Sequence, residues 1–132
     1  MDTKIVEIRE EKDVVICRQE CRTYAKNLGF SLVDQTRITT AASELARNIF
    51  EYAKTGVVKI ERATNEDKSG LKMTFSDNGP GIANVDLALK EGWSSHRGMG
   101  MGMPGSKRLM DEFSIWSELG KGTVITTIKW LR

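Results

Sequence analysis

The stretch from Leu71 to Ile82, L-K-M-T-F-S-D-N-G-P-G-I, decides how the rest of the chain is read. Leu71, Met73 and Phe75 alternate with Lys72, Thr74 and Ser76, the period of a strand with one buried face. The strand runs into Asp77, and turn residues follow at once. Pro80-Gly81 suits the central positions of a type II turn. Gly79 and Gly81 let the backbone approach a flat ligand closely. An aspartate at a strand end can accept a hydrogen bond from an exocyclic amine such as that of adenine. Alone, the same residues also describe an ordinary tight turn.

Upstream, Ile5, Val6 and Ile8 predict an opening strand, and Asp13 is expected to cap a helix. Val14, Cys17, Cys21, Ala25 and Leu28 follow helical spacing until Gly29. Ser31 with Asp34 opens a longer helix with the apolar stripe Ile38, Ala41, Ala42, Leu45, Ile49 and Ala53, which Gly56 is expected to end. Val57 to Arg62 reads as a strand, and Thr64 to Gly70 as a polar turn. Downstream, a short helix is expected over Val85 to Lys90, and another from Pro104 to about Met110, with proline in the first helical position. Phe113 to Glu118 and Thr123 to Trp130 predict a closing hairpin around Leu119-Gly120-Lys121-Gly122. Strands joined by short turns must be antiparallel. The expected fold is therefore an α+β two-layer sandwich, a mixed and mostly antiparallel sheet with helices on one face, in a single domain spanning 1–132.

Glu44 and Asn48, in E-L-A-R-N, are four apart on the long helix and differ by about 40° around its axis. Both lie roughly 80–120° to one side of Ile38, at the edge of the apolar stripe, where a polar side chain can reach a cleft. A carboxylate can take a proton, and an amide oxygen can ligate a hard cation such as Mg²⁺. A solvated helix flank is the competing reading. Arg47 points away from the stripe and could face a partner.

The run R-G-M-G-M-G-M-P-G-S-K, residues 97–107, formally satisfies G-x-G-x-x-G from Gly100 to Gly105. The residues before it, Gly92 to Arg97, are no strand, so the dinucleotide fingerprint fails. A Walker loop is absent. Glycine-rich backbone feeding a helix still makes an anion site, because free N–H groups and the helix dipole converge there. Three of the six methionines lie in this run, and flexible thioethers suit a lid.

Apolar residues make up 39% and charged residues 29% of the chain, with a net charge of +2. No basic excess points to nucleic acid or an anionic membrane, and no long apolar run points to a membrane span. A cytoplasmic protein is expected. Cys17 and Cys21 lie on one helix face with geometry poor for a disulfide, and read as small buried hydrophobes.

The order E-x-x-x-N on a helix, D-x-G-x-G after a strand and a glycine-rich segment before a helix resembles the GHKL-type, or Bergerat, ATP-binding fold. Gly120-Lys-Gly-Thr123 before the last strand resembles that superfamily's final nucleotide-side motif. More narrowly, D-Q-T-R-I-T-T-A-A-S-E-L-A-R-N at 34–48, D-N-G-P-G-I at 77–82, G-x-G-x-G-x-P-G-x-K-R-L-M-D-E-F at 98–113 and the terminal I-K-W-L-R resemble the anti-sigma-factor serine kinases, RsbT-type switch kinases of the stressosome in particular. The resemblance covers nearly the whole chain. It implies ATP and Mg²⁺, with Glu44 as general base, Asn48 on Mg²⁺ and Asp77 on the adenine amine. Gly79 and Gly81 would border the base, and Gly98, Gly100, Gly102 and Gly105 would wrap the triphosphate. Thr123 would sit on the adenine side. It further implies STAS-domain substrate proteins of the stressosome, phosphorylated on serine or threonine, and release of the kinase to activate a PPM-type serine phosphatase. A nucleotide-gated binding module, or an anti-sigma factor with little kinase activity, is the alternative.

Overall fold

The computed structural model describes residues 2–82 and 99–132, the side chains of 99–102 excepted. In chain order the elements are β1 (Lys4–Ile8), α1 (Glu11–Leu28), α2 (Leu32–Asn48), a π-helical turn (Ile49–Ala53), β2 (Gly56–Asn65), β3 (Lys68–Asp77), α3 (Met99–Leu109), β4 (Glu112–Glu118) and β5 (Gly122–Trp130). The strands form one five-stranded sheet in the order β1-β2-β3-β5-β4. Every pairing among the described residues is antiparallel, with no parallel pair of the kind a mixed sheet would contain. The expected Val85–Lys90 helix, and Gly98 with it, lie outside the described residues.

Period-two patterning sets which face of the sheet the helices cover. Val58, Phe75 and Ile125 stand opposite one another across β2, β3 and β5, as do Ile60, Met73 and Thr127. All six are buried. Their neighbours Lys59, Thr74 and Thr126 face the other way and stay partly or fully exposed. On the covered face, α2 presents Ile38, Ala41, Ala42 and Leu45 and the π turn presents Ile49, all buried as their spacing predicts; Ala53, the last of the expected stripe, is partly buried. Cys17 and Cys21 are free and buried within the same core.

Local signals set most boundaries. Ser31 caps α2, its Oγ accepting from the Asp34 N–H at 3.1 Å, and Gly29 ends α1 in the left-handed region at φ 98°. Asp13 acts differently from the expected cap. It sits in the first turn of α1, and its carboxylate accepts the N–H groups of Arg9 and Glu10, each at 2.9 Å. Those bonds hold its pKa below the ordinary 3.8.

Three other expectations are corrected. Gly56 does not end α2; after Asn48 the helix passes into the π turn, which Lys54 ends at φ 73°. Gly56 opens β2 instead, where a Cβ would lie 2.5 Å from Ile49 Cγ2 and 2.6 Å from Ser76 O. The polar turn of Thr64–Gly70 is mostly strand, because backbone pairing continues out to Asn65 opposite Lys68 whatever the polarity of the side chains. Finally, α3 starts at Met99, so Pro104 lies inside it. Met103, Ser106 and Met110 recur at helical spacing and are buried, and α3 packs on α2. That packing outweighs the poor helix propensity of the glycines and of a proline that cannot donate to the Gly100 carbonyl. Met103, expected in a lid, belongs to the core.

The two faces should respond differently to truncation. Ile60→Ala is expected to cost about 2–5 kcal/mol, and Lys59→Ala next to it no more than about 0.5 kcal/mol. Urea unfolding of both variants measures the contrast, and equal losses would contradict the assigned faces.

Candidate functional site

The C-terminal end of α2 and the end of β3 face each other across a cleft. Leu45, Asn48, Ile49, Tyr52 and Ala53 line it from the helix side. Phe75 and Asp77 line it from β3, Pro80, Gly81 and Ile82 from the turn, Thr123 and Ile125 from β5, and Met103 from α3. The π turn places Tyr52 and Ala53 on the same wall as Asn48. The structure therefore brings together Asn48, Asp77, Gly81 and Thr123, four residues singled out far apart in the sequence.

Asp77 anchors the polar side. Its Oδ1 accepts the Gly79 N–H at 2.9 Å, and the Thr123 N–H also donates to the carboxylate. Burial raises its pKa above 3.8, and the two backbone donors oppose that shift without cancelling it.

The turn after Asp77 is crowded on both sides. A Cβ on Gly79 would stand 2.6 Å from Ala53 Cβ. Gly81 has φ 77°, and a Cβ there would stand 2.2 Å from the Glu118 carbonyl oxygen. Only glycine fits at 81, which is left-handed with a carbonyl oxygen where a Cβ would stand.

Behind Thr123 lies a hydroxyl that sequence reasoning missed. Ser117 Oγ accepts the Ile82 N–H at 2.7 Å, donates to the Gly122 carbonyl at 2.9 Å and lies 2.9 Å from Thr123 Oγ1. Ser117 has one proton, and the Gly122 carbonyl takes it. Thr123 must then donate to Ser117, which leaves its own lone pairs for the cleft. The only trace of this in the sequence is that Ser117 pairs with Thr123 across the hairpin.

Asn48 has a buried side-chain nitrogen with no hydrogen-bond partner among the described residues. A buried amide in that state is costly unless something else meets it. Glu44, one turn earlier, is exposed and outside the cleft lining. It borders a groove between α1 and α2 together with Arg18, Arg22, Thr40 and Ser43. Arg47 is exposed. Gly100 and Gly102 lie in the first turn of α3 and Gly105 just beyond it.

A two-layer α+β fold with a polar cleft between the helix layer and the sheet end is the setting in which the comparisons with known proteins fall. Residues 33–132 match the family described as histidine kinase-, DNA gyrase B-, and HSP90-like ATPases, and the chain belongs to that family. Within it the similarity is to the RsbT type of protein serine/threonine kinase. The chain is 52% identical to the serine/threonine-protein kinase RsbT of Bacillus subtilis, over 99% of this chain and 98% of that one. It is 30% identical to an anti-sigma F factor of Clostridium kluyveri, over 91% of this chain and 87% of that one. A solved Mycobacterium tuberculosis structure of RsbU and RsbW domains shares the fold, with a TM-score of 0.70 at 17% identity, covering 100% of this chain and 34% of that one.

The raised pKa of Asp77 carries a stability consequence. A carboxyl group that holds its proton more tightly when folded costs stability on ionising. That cost is absent below the unfolded value of 3.8, grows as pH rises, and is complete above the raised folded value. Asp77→Asn cannot ionise. Its stability relative to wild type should therefore shift in the mutant's favour as pH rises through the carboxylate range. Urea unfolding from pH 3.5 to 7 (on the order of half-unit steps) reads this directly, and a pH-independent difference would contradict it.

Proposed function

We propose that the cleft binds ATP and that the chain transfers its γ-phosphoryl group to serine or threonine hydroxyls of partner proteins. The observation that carries the reading is Asn48: a buried amide nitrogen without a partner among the described residues, across the cleft from the half-buried carboxylate of Asp77. Asp77 would accept from the adenine amine, with Thr123 Oγ1 beside it as a further acceptor and Gly79 and Gly81 bordering the base. Phe75, Ile125 and Met103 offer the apolar surface that a planar base needs.

Asn48 would hold Mg²⁺ through its amide oxygen. Among the described residues no cluster of acids or histidines forms a cation cage, which fits an ion that takes most of its ligands from phosphates and water. When bound, Mg²⁺ would offset the charge on the β- and γ-phosphates. The first turn of α3, with Gly100 and Gly102, has backbone N–H groups without intrahelical partners, suited to phosphate oxygens. Gly98 and Gly105 would flank it.

Glu44 would act as general base. Its exposure supports the assignment, since its task is to take the proton from a hydroxyl that arrives on another protein. The acceptor oxygen bonds to the γ-phosphorus, the bond to the β-phosphate oxygen breaks, and ADP leaves.

The partners follow from the RsbT likeness. STAS-domain scaffold proteins of a stressosome would be the substrates. A PPM-type serine phosphatase would be the target once phosphorylation releases the kinase. Similarity to an anti-sigma factor supports partner switching as the common theme, and the higher identity to the kinase favours catalysis over sigma-factor sequestration. No helix among the described residues is long and apolar enough to cross a membrane.

Two variants separate binding from transfer. Asp77→Asn should weaken ATP binding by about 1.5–3 kcal/mol through loss of a charged acceptor, measured by calorimetry. Glu44→Gln should leave that affinity nearly intact and slow phosphoryl transfer to a STAS-domain protein by about 10²–10⁴-fold, measured with radiolabelled ATP. Unchanged transfer in Glu44→Gln would remove Glu44 from the chemistry.

A further inference from the structure

Lys129 is a charged side chain in the interior, with 5% of its surface exposed. It stands on β5 in the same helix-facing column as Thr123, Ile125 and Thr127. Its Nζ donates to the carbonyl oxygen of Leu109 at 2.9 Å, and Leu109 is the last residue of α3. The same Nζ lies 3.5 Å from Asp111 Oδ1 and 3.9 Å from Asp34 Oδ1. Asp34 belongs to the first turn of α2. Asp111 also accepts the Trp130 N–H at 2.7 Å. One ammonium therefore ties together the start of α2, the end of α3 and the last strand.

Burying a cation is costly, and even a well-paired one is weak evidence for stability, since a methionine could fill the same space. What the charge does supply is fixed geometry. It caps α3 at the end where the helix dipole is negative and holds that end against the first turn of α2. Both helices reach the cleft by their opposite ends. Along α2, Asp34 is about 21 Å from Asn48; along α3, Leu109 is about 9 Å from Met103. The shorter arm carries Pro104 and ends in the glycine turn.

We infer that Lys129 is a positioning residue for the nucleotide. By capping α3 against α2 it sets where α3 lies along its own axis, and so how Met103 and the Gly100–Gly102 turn stand over the cleft. The inference rests on the nucleotide reading of that cleft.

The test compares wild type, Lys129→Met, Lys129→Arg and Asp111→Asn, with the methionine methyls isotope-labelled. In Lys129→Met without nucleotide, the Met103 methyl resonance should move. ATP affinity by calorimetry should fall, and KM for ATP should rise, by about 3- to 30-fold, the range produced by mutations remote from a ligand. The kcat should change little, and Lys129→Arg should restore much of the affinity. A lower melting temperature with an unmoved Met103 methyl and wild-type ATP affinity would overturn the inference and leave Lys129 a structural residue. Should Lys129→Met fail to fold, Asp111→Asn takes its place. It keeps an acceptor for the Trp130 N–H and removes one counter-charge, so it must also shift Met103 and weaken ATP binding, and silence in both overturns the inference. Failure of the wild type to bind ATP would refute the nucleotide reading instead, and the Met103 methyl would still decide whether Lys129 sets the position of α3.

Discussion

The half-buried carboxylate of Asp77, held at the end of an apolar strand by two backbone N–H groups, is the constraint on which the rest of the site depends. Phe75 draws β3 into the core, and two residues later the same alternation carries Asp77 to the cleft. Among the described residues its hydrogen-bond partners are the N–H groups of Gly79 and Thr123, neither of them cationic. To supply the first, the chain must turn back on itself at once, which brings Gly79 against Ala53 and Gly81 against Glu118. To supply the second, β5 must run alongside with Thr123 opposite Asp77. That pairing forces Gly122 so close to Asp77 that a Cβ would stand 2.0 Å from the Asp77 carbonyl oxygen. The glycines at 79, 81 and 122 are thus consequences of one buried acid.

Much of this was legible in the sequence, because local chemistry carried it. The strand ending at Asp77, the stripe from Ile38 to Ile49, the Ser31 cap and the β4–β5 hairpin each rest on residues close in the chain, and each appears where its pattern places it. The meeting of Asn48 with Asp77 was legible only through the family resemblance. Helical spacing puts Asn48 at the edge of a stripe, and no local rule says which strand that edge will face.

What could not be read depended on contacts between distant elements. Glycine and proline between residues 98 and 105 argue locally for a loop, yet Met103 and Met110 gain enough from packing on α2 to extend the helix back to Met99. Ser117 looks like any hairpin serine until the register sets it opposite Thr123. Lys129 is one of twenty basic residues, and only the fold shows that its charge is enclosed. The misreading of Met103 has a functional side. A methionine assigned to a lid proves to be a core residue that also forms a wall of the cleft, so movement of α3 and packing of the core are a single event.

That coupling explains how so small a domain could answer to both a nucleotide and a protein. The polar groups at the cleft cost stability: the Asn48 amide nitrogen has no partner among the described residues, and ionised Asp77 pays for its burial. At the opposite ends of α2 and α3, the carboxylates of Asp34 and Asp111 are matched by Lys129 together with Arg37 and Arg132. A helix pair fixed at one end and incompletely satisfied at the other has little to lose when a ligand arrives at the open end. A ligand shifts a conformational equilibrium only by its differential affinity for the two states. Here the difference is built in, because a nucleotide would supply Asn48 and Asp77 with partners beyond those the described residues offer. Any resulting movement would be carried by α3, which packs on α2, the helix that also bears the exposed Glu44 and Arg47. On the proposed reading, the residue that would receive a hydroxyl, Glu44, and the helix that would follow the nucleotide, α3, share one support, α2.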